Sequence, residues 1–252
     1  MNSGLTAGPP RVPRRLVHSS GFTVAMALGS TAIVVLAGAR WASYEPVLED
    51  YLARDFLLYR DATARWLSGG PFYEPYQLAG PYEVTAGDIL YPPTALLLFL
   101  PFVALPALLW WVIPIGVVGW ALWKLRPASI VWPVIALCIW FPNTGIKVLT
   151  GNPVMWSVAA MALGAIYYWP AVLAALKLSL APLSLFGAWK RSWWYAAAAL
   201  GAVSLLFLPM WPDFLIALRN SRQPAGLLYS VGEVPMMLIP VIAWLGRRPD
   251  RR

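Results

Sequence analysis

Residues 21–39 read GFTVAMALGSTAIVVLAGA, an apolar stretch without a charged residue. A tail with three arginines, residues 1–20, precedes this stretch, and Arg40 follows it at once. A helix needs about 20 apolar residues to cross a bilayer, whereas a cleaved signal peptide usually has an apolar core of about 7–15 residues. We therefore predict a retained first membrane span with its basic tail in the cytoplasm.

The composition of the whole chain agrees with this start. Hydrophobic residues make up 60% of the 252 residues and charged residues only 12%, whereas soluble domains carry about 25% charged residues. The net charge of +8 does not indicate a nucleic-acid partner, because the basic residues lie mostly at the ends of apolar segments, where they set membrane topology. Arginine far outnumbers lysine and alanine is abundant, which is typical of a GC-rich bacterial genome.

The acidic residues show where the polar loops are. Eight of the eleven lie within residues 41–90 and two lie within residues 212–234. We predict a single polytopic membrane domain, residues 21–252, with a long loop at 41–90 and a shorter one at 212–234. With the N-terminus in the cytoplasm, both loops are extracytoplasmic.

The rest of the domain consists of seven further apolar segments, so the predicted fold is an all-α integral membrane bundle of about eight membrane segments. Tryptophan and tyrosine residues at the segment ends are typical of interfacial anchors. If every segment crosses once, Lys124 and Arg126 fall outside, against the positive-inside tendency. The seven segments are 92–106, 107–123, 128–142, 153–169, 170–189, 193–211 and 235–246.

A second topology removes this conflict, and we favour it. Segment 92–106 is rich in proline, which disrupts helices, and would dip into the membrane and return. Segment 170–189, with Lys177 and Pro182 at its middle, would form two half-helices that meet at the outer side. The basic clusters then become cytoplasmic, and the 143–152 loop lies on the same side as the long first loop. Irregular backbone at membrane depth is tolerated where it lines a cavity.

The most informative part of the long loop is ARDFLLYRDATARWLSGGPFYEP, residues 53–75. It predicts a helix over 54–67 that ends at the following Ser-Gly-Gly-Pro. Asp55 lies in the first turn, where the helix dipole favours a carboxylate, so a helix charge and a catalytic group are both open interpretations. One stripe of this helix suits a position on the membrane surface. The stripe consists of Phe56, Tyr59, Thr63 and Trp66.

Few other residues suggest chemistry. Lys177 interrupts apolar sequence, and an ionisable group in a membrane segment marks a functional site or extends to the interface; both interpretations stay open. The only cysteine is Cys138 and the only histidine is His18, so the sequence contains no His–Cys metal cluster. We predict no required cofactor, although a weakly held divalent cation is compatible with the sequence.

Several short motifs, taken in order, resemble one known family, the polyprenol-phosphate-dependent glycosyltransferases of the GT-C superfamily, and most closely the bacterial mannosyl- and arabinosyltransferase-like members of glycosyltransferase family 87. The resemblance covers roughly residues 50–190. The motifs are Asp55-Phe56-x-x-Tyr59-x-x-Ala62, Leu67-x-Gly69-Gly70-x-x-Tyr73, Tyr91-Pro92-Pro93, Gly151-Asn152, and Leu176-Lys177-Leu178 with Pro182.

The resemblance implies a GT-C-like helical bundle whose first extracytoplasmic loop holds surface helices. It implies transfer of a sugar, mannose or arabinose, from a polyprenyl-phosphate donor to a lipid or glycan acceptor, with inversion, at the bacterial plasma membrane. Asp55 matches the family's catalytic base. Tyr59, Tyr91 and Asn152 match positions expected to bind substrate. Family members commonly have Gly-Gln in place of Gly151-Asn152, and they are usually longer.

The chemistry of such a transfer fits the residues present. A sugar hydroxyl needs a base to attack an anomeric carbon, and with histidine only in the tail a carboxylate is the expected base. The leaving phosphate needs cationic partners. We expect Lys177 to bind it, with Arg60, Lys147 and Arg54 as further candidates. A lipid or sugar transporter and a non-catalytic membrane scaffold are the alternative functions. Ionisable residues concentrated in a loop, without repeated halves, argue against the transporter.

Overall fold

The computed structural model describes residues 20–43, 51–85, 87–222 and 226–248, and these are mostly helical. One two-stranded parallel sheet joins β1 (Tyr82–Glu83) to β2 (Ser221–Arg222). Short 3₁₀ segments connect several of the α-helices. The α-helices are α1 Ser20–Ala42, α2 Arg54–Leu67, α3 Pro75–Ala79, α4 Leu96–Phe99, α5 Leu109–Leu125, α6 Trp132–Trp140, α7 Pro142–Leu149, α8 Val154–Tyr167, α9 Ala181–Ser184, α10 Arg191–Ser204, α11 Trp211–Asn220 and α12 Val234–Leu245.

Among the described residues, two stretches of helix are long and apolar enough to cross a membrane. They are Ser20–Arg40, with 21 residues, and Arg191–Asn220, with 30 residues. A third is reached if Ser129–Trp140 and Pro142–Leu149, which bend by 62° at their junction, count as one span. The further apolar helices of the described residues are shorter, with 10–17 residues each. These lengths are compatible with a membrane protein, and the number of crossings stays a prediction.

Basic residues from distant parts of the sequence meet at one end of the bundle, which we call the basic end. Pro127, next to Arg126, forms an isolated antiparallel β-bridge with Arg247. The amide of Ala128 donates to the carbonyl of Gly246 at 2.8 Å. A series of contacts between four aromatic rings connects Arg247 with Lys190. The favoured topology places Lys124, Arg126, Lys190, Arg191 and the arginines of residues 247–252 on the cytoplasmic side; residues 249–252 lie outside the described residues, and the side of the membrane stays a prediction. The rings are Trp244, Phe186, Trp189 and Tyr168.

The polar segments meet at the opposite end. The amides of Asp55 and Phe56 donate to the carbonyl of Thr150 at 2.9 and 3.1 Å. The second polar segment joins them through β2 and through Asn220, whose side chain donates to the carbonyl of Gln77 at 2.9 Å. The sequence placed a loop from residue 212, but α11 continues to Asn220. The reason is that Asp213 occupies the first turn of α11, where a carboxylate is favourable.

The two broken segments have the shape expected of them. Backbone torsions at Lys177 are extended (φ −112°, ψ 109°) between the 3₁₀ segments Trp169–Leu176 and Leu178–Leu180. The rings of Tyr168 and Trp189, 5.7 Å apart, close this hairpin at the basic end. The chain is therefore broken at Lys177, where the sequence predicted the two halves of segment 170–189 to meet; that these halves are membrane half-helices stays a prediction. The side of the membrane on which they meet remains a prediction.

Helix α2 has the predicted bounds, but the predicted environment of its stripe is wrong. Phe56, Tyr59 and Thr63 are buried against the protein core. The ring of Tyr59 stacks on Phe99 with centroids 4.8 Å apart, and Phe56 lies 5.4 Å from Trp110. The stripe faces the aromatic core and not the membrane surface, because the short 93–103 run covers it.

Candidate functional site

A cavity of about 220 Å³ opens beside the first turn of α2. The predicted base and the four main substrate-binding candidates from the sequence line it, although they come from four separate parts of the chain, and Arg54 and Lys147 line it as well. A larger cavity of about 520 Å³ lies against α10, but its described lining holds no carboxylate and no lysine. The smaller cavity is therefore the candidate site. The five residues are Asp55, Tyr59, Tyr91, Asn152 and Lys177.

One carboxylate oxygen of Asp55 is held and the other is open. Thr150 Oγ1 donates to Asp55 Oδ2 at 2.9 Å, and Asn152 Nδ2 donates to the same oxygen at 2.6 Å. Within the described part of the chain, Oδ1 accepts no hydrogen bond. The left-handed backbone at Ala53 (φ 61°) begins α2 with Asp55 directed at the α7–α8 connection. The carboxylate is thus oriented by fixed partners, with an acceptor available to a ligand.

The turn that presents Thr150 and Asn152 requires glycine between them. Gly151 has φ +68°, and a Cβ added there would lie 2.7 Å from the ring of Trp111 and 2.9 Å from Cβ of Phe56. Asn152 has two roles in this turn. Its Oδ1 accepts the amide of Val154 at 3.1 Å, at the start of α8, while its Nδ2 holds Asp55. A local hydrogen bond and a long-range hydrogen bond explain why an amide stands at this position.

Two lysines share one buried glutamate on another wall of the cavity. Lys177 Nζ donates to Glu233 Oε1, and Lys147 Nζ lies 3.5 Å from the same oxygen. Lys177 and Glu233 are 5% and 3% exposed. The interfacial interpretation required Lys177 to extend to the protein surface. It does not, because its side chain is buried. Its ammonium group ends on a carboxylate inside the protein.

Aromatic rings form the wall between Asp55 and Lys177. Tyr59 and Tyr91 pack edge to face with centroids 5.1 Å apart, and Lys177 Nζ lies 5.8 Å from the ring centroid of Tyr91. The hydroxyl of Tyr73 donates to the carbonyl of Tyr91 at 2.8 Å and fixes its backbone. Arg54 also lines the cavity, with its guanidinium 4.9 Å from the ring centroid of Tyr51.

Arg60, a candidate from the sequence, and Asp88, a second aspartate of the long loop, differ from the residues described above. Arg60 is not among the residues that line the cavity; its guanidinium pairs with Asp61 at 2.9 Å on the exposed face of α2. Asp88 lines the cavity, but Tyr76 donates to one of its oxygens and Thr85 to the other. Burial and then the bond to Asp88 raise the pKa of Tyr76 above its ordinary range, so the phenol remains a donor. Asp88 therefore fastens the loop.

Glu233 is the residue that sequence reasoning missed. It was recognised only as part of the second polar segment, and no local motif connects it with Lys177 or Lys147. Thr150 was likewise visible only as part of a turn. Among the described residues, no group of three or more His, Cys, Asp or Glu side chains could hold a metal ion.

Comparison with known proteins adds no assignment. No protein-family model, no curated protein and no solved structure matches the chain.

Proposed function

We propose that this chain is a multi-pass bacterial membrane enzyme, an inverting glycosyltransferase of the GT-C type. It transfers mannose or arabinose from a polyprenyl-phosphate donor to a lipid or glycan acceptor at the extracytoplasmic face. One observation carries the proposal. An oriented carboxylate with a free oxygen, on Asp55, shares a cavity with a buried lysine, Lys177.

The proposed reaction uses these two groups on opposite sides of the sugar. Asp55 Oδ1 accepts the proton of the acceptor hydroxyl as its oxygen forms a bond to the anomeric carbon. The bond between that carbon and the phosphate oxygen breaks, and the phosphate leaves with the electron pair. Lys177 stabilises the departing charge. A lipid phosphate is a good leaving group, so no second carboxylate is needed as an acid, unlike in glycosidases.

The test compares Asp55→Asn with the wild-type protein in lipid nanodiscs, using polyprenyl-phosphate mannose and arabinose as donors. A well-placed base contributes about 10²- to 10⁴-fold in rate, and the loss should fall on kcat. Asp61→Asn is the matched control, because Asp61 is on the same helix but 65% exposed and paired with Arg60. Near-normal turnover by Asp55→Asn would remove Asp55 as the base.

A sugar or lipid transporter is a second candidate, favoured by one observation. The lysine and glutamate of the 177–233 pair are buried in a chain compatible with a membrane location, and such ionisable groups also mark transport pathways. Proteoliposomes loaded with a lipid-linked sugar distinguish the two. Movement of the intact donor between leaflets without a transferred sugar would favour transport.

A further inference from the structure

Two carboxylates of the cavity, Asp88 and Glu233, have no part in the proposed reaction, and both oxygens of Asp88 already accept hydrogen bonds. The Oε1 atom of Glu233 is shared by Lys177 and Lys147, but its Oε2 is buried without a hydrogen-bond partner in the described part of the chain. A buried carboxylate oxygen without a donor is unfavourable, and native proteins rarely keep one. Glu233 Oε2 therefore lacks a hydrogen-bond donor. Because Glu233 lines the cavity, a ligand bound there could supply that donor.

The net charge of Lys147, Lys177 and Glu233 restricts the chemistry of a ligand that could bind beside them. Two ammonium groups and one carboxylate leave one net positive charge, which matches the single charge of a phosphate diester. The carboxylate itself repels phosphate, so Oε2 needs a neutral donor. In a polyprenyl-phosphate sugar, the neutral donors closest to the phosphate are the hydroxyls of the sugar ring.

We propose that Glu233 binds a hydroxyl of the donor sugar through Oε2, while Oε1 positions Lys177 for the donor phosphate. This inference rests on the proposed function and assigns the sugar subsite within it. It places the sugar between the lysine pair and Asp55, against the ring of Tyr91, which lies beside Lys177. Glu233 is then the residue that distinguishes a sugar-bearing lipid phosphate from a bare one.

The experiment measures binding with two kinds of probe, farnesyl phosphate and farnesyl phosphate carrying mannose or arabinose. The full chain in nanodiscs is titrated with each probe, and the ratio of the two Kd values is the sugar preference. In Glu233→Gln we expect the Kd of the sugar-bearing probe to rise by about tenfold or more, the effect of losing a hydrogen bond to a charged group, and the preference to fall with it. A preference that falls only because farnesyl phosphate binds more tightly would be an effect of charge and would overturn the inference. Binding of farnesyl phosphate alone should be unchanged or tighter, because a negative charge is removed.

A purely structural role for Glu233 would weaken both probes equally and leave the preference intact, and that result would overturn the inference. Glu74→Gln is the matched control, since Glu74 pairs with Arg65 at 2.8 Å and does not line the cavity. If Glu233→Gln does not fold, Glu233→Asp keeps the charge and shortens the reach. It should then lose the preference in the same way, and a retained preference would overturn the inference.

The failure of this inference and the failure of the proposed function look different. Wild-type protein that transfers sugar but binds both probes equally would overturn only the role of Glu233. Wild-type protein that neither transfers sugar nor binds either probe would overturn the proposed function together with the inference.

Discussion

At the scale of single residues, the site depends on side chains held by partners distant in sequence. Asp55 is the main example, because Thr150 and Asn152 fix one of its oxygens, while the other accepts no hydrogen bond from the described residues. A hydrogen bond between a side chain and a charged group is worth about 1.5–3 kcal/mol. Removing a partner should therefore affect the orientation of the carboxylate as well as the stability of the turn.

We predict that Asn152→Ala lowers kcat for sugar transfer by about tenfold or more, since the bond it removes is to a charged group. The loss of the amide at the start of α8 should also cost about 1 kcal/mol of stability. Steady-state kinetics and thermal unfolding measure the two effects. Asn220→Ala is the control, because Asn220 donates to the carbonyl of Gln77 away from the cavity. Equal kcat values in Asn152→Ala and wild type would contradict the role of Asn152.

A second prediction concerns the buried ion pair. Lys177→Gln should raise the KM for the lipid donor, and removing one partner of a buried pair costs about 3–5 kcal/mol. The proximity of Lys147 to Glu233 should reduce that cost. The double variant Lys177→Gln/Glu233→Gln should unfold at a higher temperature than Lys177→Gln, because it also removes the buried Glu233 charge, whose remaining partner Lys147 is 3.5 Å away and partly exposed; its donor KM should stay high. Recovery of donor binding in the double variant would contradict phosphate binding by Lys177.

At the scale of elements, the sequence predicted helix bounds better than helix surroundings. The Ser-Gly-Gly-Pro stop gave the end of α2 correctly, and a lysine within apolar sequence marked the break of the 170–189 hairpin. The stripe of α2 was assigned to the membrane surface. Periodicity shows that a helix has an apolar face, but the same side chains suit lipid and protein, so only the packing of the 93–103 run decides between them.

The candidate site shows the same limit. The residues within the recognised motifs could be named from the sequence, whereas Glu233 could not. It meets Lys177 across 56 positions of the chain, and no spacing rule connects two residues so far apart. Arg60 was selected as a cation near Asp55. Successive residues of an α-helix are rotated by about 100° around its axis. Arg60, five residues after Asp55, therefore need not face the same cavity.

The α7–α8 connection gives a prediction at this scale. Gly151→Ala should destabilise the protein, because φ is +68° and the new methyl group would meet the ring of Trp111. The left-handed backbone alone costs about 1–2 kcal/mol. Gly201→Ala is the control, since nothing lies within 4 Å of its Cβ position in α10, and there alanine should stabilise by about 0.5–1 kcal/mol. Thermal unfolding of both variants measures the difference, and equal effects would contradict the close packing at Gly151.

At the scale of the whole molecule, the chain separates its charges between two ends. The basic end holds Arg126 and Arg247, and the opposite end holds the candidate site with the described acidic residues Asp55, Asp88 and Glu233. In a membrane, the positive-inside tendency orients the basic end toward the cytoplasm. The site then faces the side on which lipid-linked sugars are proposed to be used. The orientation of the protein in the membrane and its proposed sugar transfer can therefore be tested in separate experiments.

The last prediction is that α7 and the first loop face the same, extracytoplasmic side. The hydrogen bonds from Asp55 and Phe56 to Thr150 hold the two regions at one end of the bundle. A cysteine label in α7 requires an exposed position, and Ile146 is 44% exposed. In a Cys138→Ala background, Ile146→Cys and Asp61→Cys should react with an impermeant thiol reagent in intact cells. Lys124→Cys should react only after permeabilisation. Labelling of Asp61→Cys with protection of Ile146→Cys, in protein that retains sugar transfer, would contradict this topology, because a bundle joined by those bonds cannot present its two halves to opposite sides of a bilayer.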